Sequence, residues 1–380
     1  MEGTKERVGR GEEMVVRVKD VEKLLEKMAP SQLAESWDAV GLFFGDQERE
    51  IKKIQVSLGI SPEVIEEAIE NGADMIVSHH PIWLKSPLVF TENTSRGKMV
   101  AQLIRNEISV LSAHTNLDSC LGGVNDALVA LLDLQEVTPL KEVTEEWLKL
   151  VVFVPLTHME SVKNALGDAG AGQIGNYSHC SFFTRGEGSF LPLDGANPTI
   201  GVVGKTEVVS EARLEVVLAA SSLRLVLEKL KEVHPYEDVA YDLYPLKNKI
   251  PSPIGMGRVG VLKNKIKLGD FVKVVKEKLN LPGLRFCGDI EQEIQKVALC
   301  GGAGMSLVQY AKNAKVDVFL TGDIKHHEAE EAMLNGVALI DGGHFGTEKV
   351  ILPILVNYLE QVGKIEVYQS QSEKEIFKFK

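Results

Sequence analysis

The sequence predicts an α/β protein: a duplicated two-lobe α/β domain interrupted by an inserted α+β domain of ferredoxin-like order. Three observations carry this. Residues 53–120 and residues 295–350 repeat one pattern, and a repeat of that length fixes the architecture before any single element does. Within each copy, short continuous apolar runs alternate with amphipathic segments, the pattern of a mostly parallel sheet covered on both faces. Between the copies, residues 148–246 match neither and have their own order of elements.

The repeat runs in two steps. KIQVSLGISPEVIEEAIENGADMIVSHHP and KVALCGGAGMSLVQYAKNAKVDVFLTGDIKHH each read as an apolar strand, a turn of small residues, an amphipathic helix and a second apolar strand after Ala-Asp or Val-Asp. LIRNEISVLSAHTNLD and AMLNGVALIDGGHFGTE then give a helix end, another strand, and a loop in which a histidine precedes a carboxylate by four positions. His114 stands before Asp118, and His344 before Glu348. In parallel sheets functional groups collect at the carboxyl ends of strands, so these polar endings are expected to face one cleft.

The intervening stretch begins with a strand, LKLVVFVP, and a helix, MESVKNALGDAG, closed by glycine. PTIGVVG and RLEVVLAA are expected as strands, SLRLVLEKLKEVHP as a helix and DVAYDLYPL as a closing strand, with CSFFTRGEGSF in a decorating hairpin. This β-α-β-β-α-β order is ferredoxin-like. The Pro and Gly cluster in KNKIPSPIGMGRVG marks the return to the first domain. The expected organisation is a flexible N-terminus over 1–13, a discontinuous domain over 14–147 plus 247–380, and the insert over 148–246.

Charge and composition narrow the function. With 42 basic against 54 acidic residues the formal charge is -12, and no basic stripe offsets it, which disfavours a nucleic-acid backbone as partner. No apolar run reaches membrane-spanning length and the polar N-terminus lacks the apolar core of a secretory signal, so a cytoplasmic protein without a membrane partner is expected. The four cysteines, Cys120, Cys180, Cys287 and Cys300, show no C-x-x-C spacing. Any metal therefore sits on oxygen and nitrogen ligands.

His79 and His80 close the strand ADMIVSHHP, where alternation stops and both imidazoles can turn into one cleft. Asp118, His344 and Glu348 reach comparable strand ends. Taken singly, His-His-Pro is also a capped strand end, and His344 with Glu348 is also the capped start of a helix. Their joint occurrence at matching points of a duplicated pattern favours metal. Three imidazoles and two carboxylates exceed the three or four ligands of one tetrahedral ion, and carboxylates can bridge two ions ~3.5–4 Å apart. Zinc, iron and manganese all suit such a set.

Around these ligands, His114 either orients Asp118 or works as an acid or base. Asp323, His326 and His327 occupy the repeat counterpart of His79 and His80, as a proton shuttle, a substrate contact or simply an exposed helix start. Asp38, beside Trp37, serves recognition or packing. The Gly301–Gly304 run follows a strand and precedes a helix, so the amides of Gly301 and Gly302 are candidates for holding an anion, without the G-x-G-x-x-G or Walker pattern of a nucleotide loop.

SHHP, AHTNLD, TGDIKHH, DGGHFGTE and WDAVGLFFGD together resemble the GTP cyclohydrolase I type 2 homologue family, the Ngg-interacting-factor-three-like proteins, over nearly the whole chain. The resemblance implies a dinuclear metal centre in a toroidal homohexamer, with the ligand motif falling on His79, His80, Asp118, His344 and Glu348. It also implies the family's long form, whose insert is similar to the PII and CutA signalling folds; GAGQIGNYSHCSF and HPYEDVAYDLYPL carry that similarity here. Two functions follow as expectations. One is a metal-dependent hydrolase activating a bridging water against GTP, another nucleotide or a phosphorylated small molecule, with His114 or His327 moving protons. The other is a non-catalytic metal-binding regulator or sensor acting through the insert on a small-molecule ligand.

Overall fold

The computed structural model describes residues 15–84, 91–143, 146–175, 177–247 and 252–378; residues 1–13, read above as a flexible N-terminus, lie outside them. Fifteen strands follow one another along the described chain. The first four are β1 (Gly41–Phe44), β2 (Lys53–Ser57), β3 (Met75–Ser78) and β4 (Ser109–Ser112), then β5 (Gln135–Glu142). Next come β6 (Trp147–Pro155), β7 (Ser181–Phe190), β8 (Glu207–Ala219) and β9 (Tyr241–Pro245). The rest are β10 (Gly255–Lys267), β11 (Arg285–Cys287), β12 (Glu293–Leu299), β13 (Val318–Thr321), β14 (Ala338–Asp341) and β15 (Glu366–Gln369). Two compact units result: Met1–Val143 with Pro253–Lys380, and Thr144–Ser252.

The first unit contains two sheets. One has the order β1-β4-β3-β2-β15 and is parallel except at β1; the other has the order β11-β14-β13-β12-β10-β5 and is parallel only through β12-β13-β14. The expectation of mostly parallel sheets thus holds for the first copy of the repeat. In the second copy the parallel core is flanked by antiparallel strands that come from outside the repeat. The inner strands MIVS, SVLS, VFLT and ALID are fully buried because both faces are covered. Val56, Val77 and Leu111 pack on one face of the first sheet and Ile76 and Val110 on the other; Leu320 and Ile340 face away from Phe319 and Leu339 in the second.

The recurring aspartate of the repeat has a backbone role. Asp74 Oδ2 accepts the amides of Lys52 and Lys53 at 2.8 and 2.9 Å, and Asp317 Oδ2 accepts those of Gln295 and Lys296 at 2.8 Å each. In both copies a carboxylate ahead of one strand therefore fixes the start of its neighbour, and with it the register that brings the strand ends level. Ser61 then caps the helix Pro62–Glu70 through the Val64 amide, with Pro62 at the first helical position.

Arg258 of β10, 1% exposed, ties the second sheet to the end of the first copy and to Asp126. Its Nε donates to Asp126 Oδ1 at 2.5 Å, Nη1 to the carbonyls of Gly255 and Gly257, and Nη2 to the carbonyl of Cys120 at 3.0 Å. Removing the guanidinium leaves a carboxylate and three carbonyls short of a donor. Arg258→Met is expected to lower the unfolding free energy by about 3 kcal/mol or more, read from denaturant midpoints; a loss under about 1 kcal/mol would show that water replaces the guanidinium.

The second unit is a four-stranded antiparallel sheet of order β7-β8-β6-β9, with helices Met159–Asp168 and Leu223–Val233 packed on one face. This is the β-α-β-β-α-β arrangement, but its second strand differs from the expectation. CSFFTRGEGSF forms β7, paired with β8 along its whole length, whereas PTIGVVG is not a strand. Gly201 and Gly204 take φ of +91° and +80°, outside the extended region, and β7 already fills the edge beside β8. Among the described residues no helix is long and apolar enough to cross a membrane.

Candidate metal centre

Strands β3 and β4 end level, Ser78 opposite Ser112, and the residues that follow them and those that follow β14 build the site. After Ser78 the chain bends while the amides of His79 and His80 still donate to the carbonyls of Ser57 and Leu58. After Ser112, His114 precedes the short helix Thr115–Ser119 that carries Asp118. After Asp341, Gly343 at φ +74° turns the chain into the helix His344–Glu348. The sequence-predicted ligands His79, His80, Asp118, His344 and Glu348 all arrive in one place.

Glu348 is the centre of the cluster and is 3% exposed. Its Oε2 lies 2.8 Å from His80 Nε2, and its Oε1 lies 3.2 Å from His344 Nε2 and 3.6 Å from His79 Nε2. Asp118 Oδ1 is 3.7 Å from His79 Nε2. The donor atoms of His79, His80 and His114 fall within 4.8 Å of one another, as do those of His80, His344 and Glu348. These two overlapping triads can hold a metal. His114 belongs to the donor set itself, a closer role than the orientation of Asp118 expected above.

Three of the imidazoles share one construction. His79 Nδ1 donates to the Ala113 carbonyl at 2.9 Å, His114 Nδ1 faces Asp38 Oδ1 at 2.9 Å, and His344 Nδ1 faces Asp323 Oδ2 at 2.7 Å. An oxygen that holds Nδ1–H leaves the lone pair on Nε2, the form in which imidazole binds a cation. His79 Nε2 and Asp118 Oδ1 are moreover buried without a hydrogen-bond partner. Orphaned buried polar atoms cost about 1–3 kcal/mol each, and an ion between them removes that cost.

Electrostatics agree. Complete burial would drive the His79 pKa down, but the carboxylates of Asp118 and Glu348 lift it to about 9. The His344 value is raised to about 9 by its bond to Glu348, against partial burial. Burial and the neighbouring Glu348 push Asp118 up to about 6. Glu348 itself, despite burial, is held well below the usual carboxylate range by His79, His344 and His80. In metal-free protein the raised values of His79 and His344 mean that stability from their protons is complete below about pH 6.5 and is lost as pH rises through about 9. Asp118 adds to this loss in the same direction, between its ordinary 3.8 and about 6. Glu348 acts oppositely and only in acid, its contribution present above 4.5 and lost as pH falls below its depressed value. The melting temperature of metal-free protein should therefore fall from pH 6.5 to 9. Cations compete with these protons, so apparent metal affinity should rise about ten-fold per pH unit for each proton displaced. Competition titrations at pH 6.5, 7.5 and 8.5 check this, and an affinity flat across them would mean that no imidazole proton is displaced.

The other candidate residues divide. Asp38 is buried, its Oδ1 on His114 and its Oδ2 on the amide and hydroxyl of Thr115 at 3.1 and 2.6 Å. Both oxygens are used, so Asp38 positions His114 and does not contact substrate. Asp323 positions His344 in the same way. Gly301 and Gly302 border the cluster, but their amides already donate to Asn125 Oδ1 and Thr347 Oγ1, both at 3.0 Å. They do not hold an anion; Gly302 instead leaves room for Glu348, whose Oε1 would lie 2.2 Å from a Cβ there. His327 is 92% exposed and stands with His326 and Glu330 on the helix His326–Leu334, outside the cluster. Its place as a proton carrier is not met, because the chain passes the strand end at Gly322 and Asp323 before that helix begins.

Sequence reasoning missed Asn125, fully buried, which accepts the Gly301 amide and donates to the Asp118 carbonyl at 2.8 Å. It also missed Glu373, whose carboxylate accepts the amides of Leu58 and Gly59 beside His80. Neither sits in a repeated motif. The cluster opens into a cleft of about 680 Å³ with Trp37, Leu84, Met256 and Leu307 on its apolar side and Arg96 and Lys141 as its cations.

Comparison with known proteins fits this architecture. A Bacillus subtilis protein named GTP cyclohydrolase 1 type 2 homolog is 42% identical over 330 residues, 87% of this chain and 88% of its own. A Mycobacterium leprae protein of the same name is 39% identical over 345 residues, 88% of each chain. The crystal structure of a Bacillus cereus protein related to NIF3 superposes with a TM-score of 0.88 at 37% identity, covering 96% of this chain and all of that one. A Staphylococcus aureus structure does so with 0.77 at 30% identity, covering 96% and 99%. The Duf34/NIF3 (NGG1p interacting factor 3) family model matches residues 16–376, and the chain belongs to that family.

Proposed function

We propose that this chain is a metal-dependent hydrolase with two divalent cations held by His79, His80, His114, Asp118, His344 and Glu348. The observation that carries the reading is the shared imidazole construction: Nδ1 of His79, His114 and His344 pinned on an oxygen, Nε2 of His79 and His344 turned toward carboxylates, and His79 Nε2 and Asp118 Oδ1 otherwise partnerless. Divalent cations bound there supply Lewis acidity and a water that ionises near neutral pH. Asp38, Asp323 and the Ala113 carbonyl keep the imidazoles in the binding tautomer. Burial of Glu348 and Asp118 keeps bulk water from competing for their oxygens.

Trp37, edge-on to His114 with ring centroids 6.1 Å apart, offers a planar substrate an apolar wall, and Arg96 offers it positive charge, while Lys141 is paired with Glu35 at 2.9 Å. This supports a nucleotide or another phosphorylated small molecule. GTP is the first compound to assay because the relatives' name points to it. The nitrogen and oxygen donor set suits zinc, iron or manganese. By family resemblance alone we also propose a homohexamer, tested by light scattering on purified protein, and a PII- or CutA-like regulatory role for the second unit.

The test loads the protein with each metal in turn and assays GTP, other nucleotides and simple phosphoesters. Turnover that disappears in folded His79→Ala supports the hydrolase. Two bound ions with no turnover across the panel would replace it with a non-catalytic metal-binding regulator.

A further inference from the structure

The second unit holds a cavity of about 590 Å³, within the range of small-ligand sites. It lies over the face of the sheet that the helices leave open. Its floor is Gly186 and Gly188 of β7 with Glu211 of β8, and Phe153, Phe190 and Tyr236 supply aromatic walls. The loop after β7 closes it and is pinned twice, the Asn197 amide donating to Glu237 Oε1 at 2.9 Å and the Thr199 hydroxyl to the Pro235 carbonyl at 2.5 Å.

Glu211 is only 8% exposed. Its Oε1 accepts the Tyr236 hydroxyl at 3.0 Å, the one side-chain donor it meets among the described residues. Its Oε2 reaches over Gly188, where an added Cβ would lie 2.2 Å away. Glu211 lines the cavity, so its second oxygen is available to a donor from a ligand there. Four carboxylates, Glu187, Glu211, Glu237 and Asp238, line the cavity against the guanidiniums of Arg185 and Arg213. Arg213 is already committed to Glu215.

We propose that this cavity binds a flat organic cation, an aromatic or heteroaromatic ring bearing an amidinium, guanidinium or protonated amine. The cationic group meets Glu211 Oε2 and the ring lies among Phe153, Phe190 and Tyr236. Only the absence of a side chain at Gly188 lets the carboxylate occupy its place. Every residue that lines the cavity belongs to the second unit.

Benzamidine is the probe, with benzoate as its charge-reversed counterpart, each titrated into the full chain by calorimetry and ligand-observed NMR. Saturable benzamidine binding is expected, with benzoate at least about ten-fold weaker, and Glu211→Gln should weaken benzamidine by about ten-fold or more while metal content stays unchanged. Absence of saturable benzamidine binding, equal binding of benzoate, or unchanged affinity in Glu211→Gln overturns the proposal. Should Glu211→Gln not fold, Gly188→Ala decides: a ten-fold loss supports the site, and unchanged affinity overturns it.

Discussion

Glu348→Ala, purified without added ions, is expected to bind metal more than about 100-fold more weakly than the parent chain, beyond the loss that follows when only an orienting partner is removed. The reason is its position: one carboxylate spans three imidazoles, at 2.8, 3.2 and 3.6 Å. Truncation leaves His79, His80 and His344 facing each other across a gap, with Asp118 as the remaining acid of the cluster. Metal analysis and competition against a chromogenic chelator measure the loss. A variant retaining its ions at parental affinity would mean that Glu348 serves only to fix the imidazoles, and its place among the ligands would fall.

Gly302→Ala should produce a smaller but still clear loss without replacing a ligand. The new Cβ would stand 2.2 Å from Glu348 Oε1 and 3.3 Å from His344 Nε2, on a residue whose φ of +61° already disfavours a side chain. The carboxylate has to move, because the opposing atoms are buried and the backbone is fixed by the Gly302 amide on Thr347. Metal affinity is expected to fall by at least about ten-fold, with a stability cost of about 1 kcal/mol from the strained backbone. Parental affinity in a folded Gly302→Ala would show that the loop relaxes instead. The contrast with Gly301→Ala is informative, since a Cβ at that position meets Val124 Cγ1 at 2.6 Å and no nearer ligand atom than Glu348 Cγ at 3.5 Å.

What could be read from the residues alone follows the reach of each interaction. Strand ends were legible because a buried parallel strand is a continuous apolar run and its end is where that run stops, as at Ser78-His79 and at Asp341-Gly342. The five expected ligands were therefore found together. The partners of those ligands were not, because nothing periodic links Asp38 to His114 across 76 positions or Glu373 to Leu58 across 315. Gly301 and Gly302 misled for a related reason: a glycine run between strand and helix has the composition of an anion loop whether its amides point outward or, as here, into Asn125 and Thr347. In the second unit, PTIGVVG carried the apolar content of a strand while CSFFTRGEGSF carried its geometry. Glycines at positive φ turn the former, and the latter holds the edge beside β8. The polar character of the latter reflects an exposed strand, nearly every residue of which remains open to solvent.

The pairing of β15 with β2 has a consequence for how the chain is made. Tyr368 hydrogen-bonds Gln55 across 313 positions, so the first lobe lacks an edge strand until the ribosome has passed well beyond the second. At about 5–20 residues per second the nascent lobe waits some 15 to 60 seconds with β2 uncovered. During that interval β2 is an open sheet edge, the kind of surface that pairs with other strands.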